Sequence, residues 1–271
     1  MYQLPVGFLS GSRPLFLHTL QFPPTLSLVV LAPHPDDFDA IGVTMRFFRD
    51  NGNRIEVAVA TSGASGVEDG FRLASTPGVK AALRESEQRA SCQFFALPDS
   101  QLTFLRLTED EMGHPDESEA NLERVRAFLL SKRPDLVFMP HGNDTNAGHQ
   151  RTYSLFRKIV QREAMSVVTF LNRDPKTIAM RHDLYTVFSA GVAQWKGQLL
   201  RFHESQHQRN LNTRQHGIDE RVLRVNRQTA AELGGDVLYA EAFQLECYDA
   251  GVWKGLGDRQ ISDSSDSVEN W

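Results

Sequence analysis

The sequence predicts an α/β fold, a Rossmann-like, doubly wound and mainly parallel sheet in a three-layer α/β/α arrangement. Three observations predict it. Short, nearly continuous apolar runs recur at residues 26–32, 55–60, 102–107, 135–140 and 167–171, the pattern of strands buried on both faces. Stretches with helical periodicity separate most of these runs, and strands alternating with helices argue for parallel pairing. The two most polar loops follow the first and fourth runs, and in the common doubly wound order the strand sequence reverses between those two strands, where ligands bind.

At 271 residues the chain is long enough for one large α/β domain with a substantial core. A net charge of −5 with scattered basic residues argues against nucleic acid or an anionic membrane as partner. Only Cys92 and Cys247 are present, without ligand spacing, so neither a disulfide framework nor a thiolate metal site is expected, and a reducing cytoplasm is the expected location. Residues 1–25 are interrupted by Pro5, Arg13, Pro14, Pro23 and Pro24, so neither a signal nor a membrane span is expected there. They are expected to form an irregular strap held by Phe8, Leu15, Phe16 and Phe22. The domain proper is placed at 26–252, and the polar, acidic segment 253–271 is expected to be disordered. Homo-oligomerisation is left open.

Taken in order, Leu28 to Ala32 is the first strand, closed by Pro33 and Pro35. Ala40 to Asp50 reads as a helix stopped by Asn51-Gly52, and Ile55 to Ala60 as the second strand. Thr61 to Gly78 holds four glycines and reads as a loop over the strand ends, without the glycine spacing of a dinucleotide fingerprint or the Lys of a P-loop. Val79 to Phe95 is a helix, Leu102 to Leu107 the third strand, and Ser118 to Lys132 a helix with Leu122, Val125, Phe128 and Leu129 on one stripe. Asp135 to Pro140 is the fourth strand, followed by the loop His141 to His149 and a helix at Gln150. Val167 to Leu171 is the fifth. Beyond it, short strands are expected between Ile178 and Phe188, with helices at Gln194 to Asn210 and about Ile218 to Leu233. Tyr239 to Phe243, after the Gly234-Gly235 break, is a candidate return to the site.

The chemistry gathers at the exit of the first strand, where residues 33–37 read Pro-His-Pro-Asp-Asp. His34 and Asp37 offer an imidazole nitrogen and a carboxylate oxygen, which both suit a borderline cation such as zinc. Asp36 is then placed to take a proton from water as general base. Helix capping would account for one or two of Asp36, Asp37 and Asp39, but not for His34 or the prolines. If the fourth-strand loop lies beside the first, His149 becomes the third ligand, completing a two-His, one-carboxylate set with a position left for water. A rival pattern, His203-Glu204-Ser205-Gln206-His207, matches the H-E-x-x-H of zinc peptidases, with Glu220 as a possible third ligand. It leaves both strand-end loops unexplained.

With these residues assembled, the chain resembles the PIG-L/LmbE family of zinc-dependent N-acetyl deacetylases from about Leu26 to Phe243. The family's A-H-P-D-D-E is met by Pro-His-Pro-Asp-Asp-Phe at 33–38, and its helical R-x-x-E by Arg84 and Glu87. Its H-P-D-H is met loosely by Asn146-Ala147-Gly148-His149, and its late H-x-S-Q by His203, Ser205 and Gln206. The resemblance implies Zn2+ on His34, Asp37 and His149, Asp36 as general base, and Arg84 and His203 on the substrate, an N-acetylated amino sugar or conjugate. Phe38, Asn146 and Gly148 depart from the pattern. Asn146 stands where the family has a His implicated in stabilising the oxyanion or protonating the amine. An Asn amide still donates a hydrogen bond to an oxyanion. The competing expectation is a non-catalytic zinc- or sugar-binding relative.

Overall fold

The apolar runs assemble into one mixed sheet. In the computed structural model, residues 4–5 and 8–255 are described. The chain order is β1 (Leu15–Phe16), β2 (Ser27–Ala32), α1 (Asp37–Ala40), α2 (Gly42–Asp50), β3 (Arg54–Val59), α3 (Pro77–Phe95), β4 (Leu102–Phe104), α4 (Glu119–Lys132) and β5 (Leu136–Pro140). There follow α5 (Ala147–Arg162), β6 (Val167–Asn172), β7 (Leu184–Phe188), α6 (Ala190–Arg201), α7 (Glu204–Arg214), α8 (Ile218–Leu233), β8 (Tyr239–Asp249) and β9 (Val252–Lys254). The sheet runs β1-β7-β8-β6-β5-β2-β3-β4, with β9 on β8. The five runs β4-β3-β2-β5-β6 are all parallel, and β8 is antiparallel to both β6 and β7.

The alternation of side chains along β2 divides the core. Leu28, Val30 and Ala32 pack into one cluster with Phe38, Met45, Phe48 and Phe95, while Val29 and Leu31 face another with Leu122, Leu129, Phe156 and Ile159. Helices therefore cover both faces, and the strand ends are free to carry loops. Because β5 pairs directly with β2, with Leu28 opposite Leu136 and Val30 opposite Phe138, the chain reverses direction of winding between them. The loops leaving β2 and β5 are brought side by side.

Several expectations are corrected. The N-terminal segment supplies a strand, since Leu15 and Phe16 pair in parallel with Leu184 and Tyr185, while Phe8 and Phe22 are buried in the main core. One strand, β7, replaces the several expected between 178 and 188. The single helix expected over 194–210 is two, α6 and α7, interrupted at Phe202 and His203. Val252–Lys254 form a hairpin strand on β8, and the rest of the expected disordered tail, 256–271, lies outside the described residues. Tyr239 to Phe243 does not return to the site. Its Glu241 is buried instead against Lys196 and the backbone amides of Val43 and Thr44. Among the described residues no helix is long and apolar enough to cross a membrane.

Candidate metal centre and active site

A cavity of about 400 Å³ opens at the carboxyl ends of β2 and β5. It is bordered by the loops after β2, β3, β4, β5 and β6 and by α7 and α8. His34, Asp36, Asp37, Arg84, Asn146 and His149 all line it, so six of the seven predicted site residues meet there, His203 being the exception.

The loop after β2 folds tightly on itself. The His34 backbone amide donates to Asp37 Oδ2 at 2.8 Å, and His34 Nδ1 lies 3.2 Å from the same oxygen. Across the reversal point, His149 Nε2 lies 3.5 Å from Asp37 Oδ1. Ligands about 2.1 Å from a tetrahedral ion stand about 3.4 Å apart, so both separations fit a shared cation. One ligand atom from each of the three residues lies within 4.8 Å of the others. Burial alone would raise the Asp37 carboxyl, but His149 and His34 outweigh it and hold it far below the usual carboxylate range. Burial likewise opposes protonation of His149, and Asp37 with Asp144 overcomes it and raises the imidazole well above its ordinary value. Such a charge-rich trio, with Asp37 and His149 buried and His34 half-buried, is what a metal would replace protons to join.

Two carboxylates missed at the sequence level stand behind His149. Asp144 Oδ2 is 3.2 Å from His149 Nδ1, without hydrogen-bond alignment, and Asp174 Oδ1 is 3.9 Å away. Burial, then Asp37 and Asp144, push the Asp174 carboxyl up against the pull of His149. A carboxylate behind a ligating imidazole orients the ring and raises its basicity. Asp144 also accepts the Asn146 amide at 2.6 Å, which ties the ligand support to the residue beside it. Asp144 sat in a loop already singled out. Asp174 follows β6, where no pattern marked it.

Asp36 is held in a strained backbone conformation, φ 114° and ψ −22°, which costs a non-glycine residue on the order of 1–3 kcal/mol. Its amide donates to Gln88 Oε1 at 3.0 Å, and its Oδ2 accepts from Arg84 Nη2 at 3.0 Å. Arg84 is buried and also bonds the Pro35 carbonyl and Glu87. Gly63 adopts φ +63°, and a Cβ there would press on Pro35 Cδ at 3.0 Å and Arg84 Nε at 3.2 Å. The guanidinium expected on the substrate is thus engaged with the loop that carries Asp36.

His203 is fully buried and lies away from the cavity. Its Nε2 bonds Asp39 Oδ2 at 2.7 Å, and Gln88 Nε2 bonds the same oxygen at 3.1 Å. The next residues of its motif also tie elements together: Ser205 gives its amide and hydroxyl to Glu87 at 2.7 and 2.8 Å, and Gln206 Nε2 reaches the Gly66 carbonyl. His203 precedes the first residue of α7, with φ −84° and ψ 63°, so it does not share a helical face with His207. His207 lies 3.3 Å from Asp219. Neither belongs to a possible metal cluster among the described residues, and the peptidase reading loses its geometry.

Asn146 begins α5. Its Oδ1 accepts the Gly148 amide at 3.0 Å, and its Nδ2 donors have no partner among the described residues. Gly148 matters for space: a Cβ there would sit 2.6 Å from His34 Nε2. The departure at 148 therefore leaves room for the His34 ring.

Residues 29–160 match the profile of the PIG-L family, described as GlcNAc-PI de-N-acetylase. No curated protein sequence matches the chain. Among solved structures, N,N'-diacetylchitobiose deacetylase from Pyrococcus horikoshii, in complex with an inhibitor, is 19% identical with a TM-score of 0.67, covering 83% of this chain and 84% of that one. GalB, the 4-carboxy-2-hydroxymuconate hydratase of Pseudomonas putida KT2440, is 19% identical with a TM-score of 0.62, covering 82% and 95%. A triple mutant of a deacetylase in the teicoplanin biosynthetic pathway is 16% identical with a TM-score of 0.64, covering 82% and 99%. At these identities the likeness carries the fold, and one of the three is a hydratase, so the reaction has to be argued from the site. The strand-end loop with His34, Asp36 and Asp37, the helix with Arg84, and the loop with Asn146 and His149 all fall inside the stretch, residues 29–160, that is similar to the PIG-L family.

Proposed function

We propose that this protein is a zinc-dependent N-deacetylase that hydrolyses the acetamide of an N-acetylated amino sugar or its conjugate. The observation that carries the reading is the convergence of His34, Asp37 and His149 at the sheet's reversal point with Asp36 directly beside them. His34, Asp37 and His149 would hold the ion. Two imidazoles and a carboxylate suit zinc, which when bound supplies Lewis acidity toward the acetyl carbonyl and lowers the pKa of water.

The chain's own residues do the proton work. Asp36 takes one proton as water oxygen bonds to the carbonyl carbon, and returns it to the nitrogen as the C–N bond breaks, giving acetate and an amine. Asn146 Nδ2 donates to the developing oxyanion, where a preorganised donor is worth about 10²–10³ in rate. Arg84, with Gln88, holds Asp36 in its strained pose and is a positioning residue. The two free cysteines suit a reducing cytoplasm, which we propose as its location.

The test is acetate release from N-acetylglucosamine conjugates by zinc-loaded protein. Activity lost on chelation and restored by zinc supports the reading. Zinc bound through His34, Asp37 and His149 without acetate release from any conjugate would sink it and leave a non-catalytic relative.

A further inference from the structure

The wall of the cavity facing away from the strand ends has the opposite charge character. The metal side presents Asp36, Asp37 and Asp174 together with Arg84 and Lys176, whereas the charged residues that α7 and α8 present are Arg209, Arg214 and Arg221. Gln206, Arg209 and Asn210 on α7, and Ile218, Arg221 and Val222 on α8, each follow the i, i+3, i+4 spacing of one helical face. The two acids in the first turn of α8 are already taken: Asp219 pairs with Arg201 and His207, and Glu220 with Arg224. None of the three arginines makes an ion pair among the described residues. Arg209 reaches only the Gly66 carbonyl, at 3.4 Å, and Arg214 only Asn210 and Thr213.

Bringing three uncompensated guanidinium groups to one wall is unfavourable without a counter-charge. Burial, then Arg221 and Arg209, push the Arg214 guanidinium down from its ordinary value, which places the three within electrostatic reach of one another. α8 adds to the same sign. It starts at Gly217, whose lack of a side chain leaves the first-turn amides without a side-chain cap, and its dipole is positive at that end. A Cβ at Gly217 would lie 2.2 Å from His207 Cε1 and 2.4 Å from Asp219 Oδ1, so a larger residue there would have to displace those side chains. Between the acidic and basic walls lies an apolar patch of Ala40, Leu200, Ile218 and Val222.

Resting on the deacetylase reading above, we propose that Arg209, Arg214 and Arg221 form an oxyanion subsite of the same cavity, so that the N-acetylated substrate carries a phosphate or carboxylate group. The acetamide sits at the metal end, the sugar lies along the apolar patch, and the anionic substituent meets the guanidinium groups. Arginine suits this task because its planar fork matches phosphate and carboxylate oxygens in pairs.

The experiment compares acetate release by zinc-loaded protein from N-acetylglucosamine, its 1-phosphate and 6-phosphate, and N-acetylmuramic acid, which separates phosphate from carboxylate recognition. Binding of inorganic phosphate is followed by calorimetry in parallel. The proposal expects at least one anionic substrate to exceed the uncharged sugar by about tenfold or more in kcat/KM, the scale of a charge-assisted hydrogen bond. Arg209→Gln and Arg221→Gln should each shrink that ratio by about tenfold and weaken phosphate binding, and added salt should act in the same direction. Arg214→Glu, on an exposed side chain at the end of α7, repeats the test should the half-buried positions fold poorly. Equal kcat/KM for charged and uncharged substrates, with acetate released from both, overturns the subsite and leaves the deacetylase standing. Phosphate binding unchanged in all three variants overturns it as well. Arginine-dependent phosphate binding without acetate release from any substrate keeps the anion site and removes the deacetylase.

Discussion

Arg84 Nη2 donates to Asp36 Oδ2 at 3.0 Å from a guanidinium that is itself buried and bound to Glu87 and the Pro35 carbonyl. The resemblance placed Arg84 on the substrate. Geometry instead makes it the clamp on a residue whose φ of 114° needs an outside restraint. Arg84→Lys keeps a charge but not the planar fork, so kcat should fall by about tenfold or more while KM changes little, and metal content should stay near that of the parent. Asp36→Asn, by contrast, should keep metal and lose on the order of a hundredfold in turnover, the usual scale for a general base. Steady-state kinetics with metal analysis checks both. A KM rise at constant kcat for Arg84→Lys would return it to the substrate.

Metal content should separate ligands from look-alikes. On the proposed assignment His34→Ala, Asp37→Ala or His149→Ala removes one of three protein ligands, and each should strip zinc. Asp144→Asn leaves the ligands but weakens the support behind His149, with an expected loss of about 10–100-fold in affinity. His203→Ala should retain metal and lose stability, because Asp39 keeps its burial but loses the imidazole. Equilibrium dialysis and denaturant titration report the two effects separately. Zinc lost with His203→Ala or His207→Ala, and kept in the first three variants, would revive the peptidase assignment.

What the sequence showed and what it hid have physical causes. Val29 to Leu31 and Val137 to Met139 are buried on both faces, so each reads as an unbroken apolar run, and the doubly wound order then seats His149 beside His34. Asp174 carries no such periodic signal. It matters only because β6 pairs with β5 and delivers its loop to the same cavity. The break at Phe202 and His203 was hidden because the flanking residues are all compatible with helix, and what ends α6 there is tertiary: Asp39, more than 160 positions away, holds His203. Lys196 and Glu241 were equally opaque, since a buried pair at 2.7 Å looks like surface charge when each residue is read with its neighbours alone.

A pH effect should appear at the loop that carries Asp144 and Asn146. Burial lowers the His141 imidazole below its ordinary value, with Arg181 assisting, against the pull of Gln244, Glu246 and Asp144. Its Nδ1 accepts the Asn143 amide at 3.0 Å, a bond that protonation of that nitrogen would break. The unfolded chain therefore takes up this proton first. Stability contributed by neutral His141 is fully present above about pH 6.5 and is lost as pH falls through the lower folded value. Urea unfolding of metal-free protein across pH 5–8 should show a smaller acid-side loss for His141→Gln than for the parent. Equal losses would mean that His141 titrates alike in both states.

Asn146 combines a structural and a chemical task, and its variants must be chosen to separate them. Oδ1 caps α5 through Gly148, so Asn146→Ala costs about 1 kcal/mol of stability besides any catalytic effect. Asn146→Ser keeps a capping oxygen while removing the amide donors that line the cavity. If the amide stabilises the oxyanion, both variants should lose about 10–1,000-fold in kcat, and only the alanine should unfold at lower urea. Asn146→His restores the side chain type of the family pattern and adds a group that can lend a proton to the departing amine. Its activity should match or exceed the parent and gain an alkaline limb as an imidazolium near or above its reference pKa of about 6.5 deprotonates. Acetate release against pH for the parent and the three variants decides the matter. Parent-like kcat in Asn146→Ser would confine Asn146 to the helix cap and leave the oxyanion without a donor from this residue.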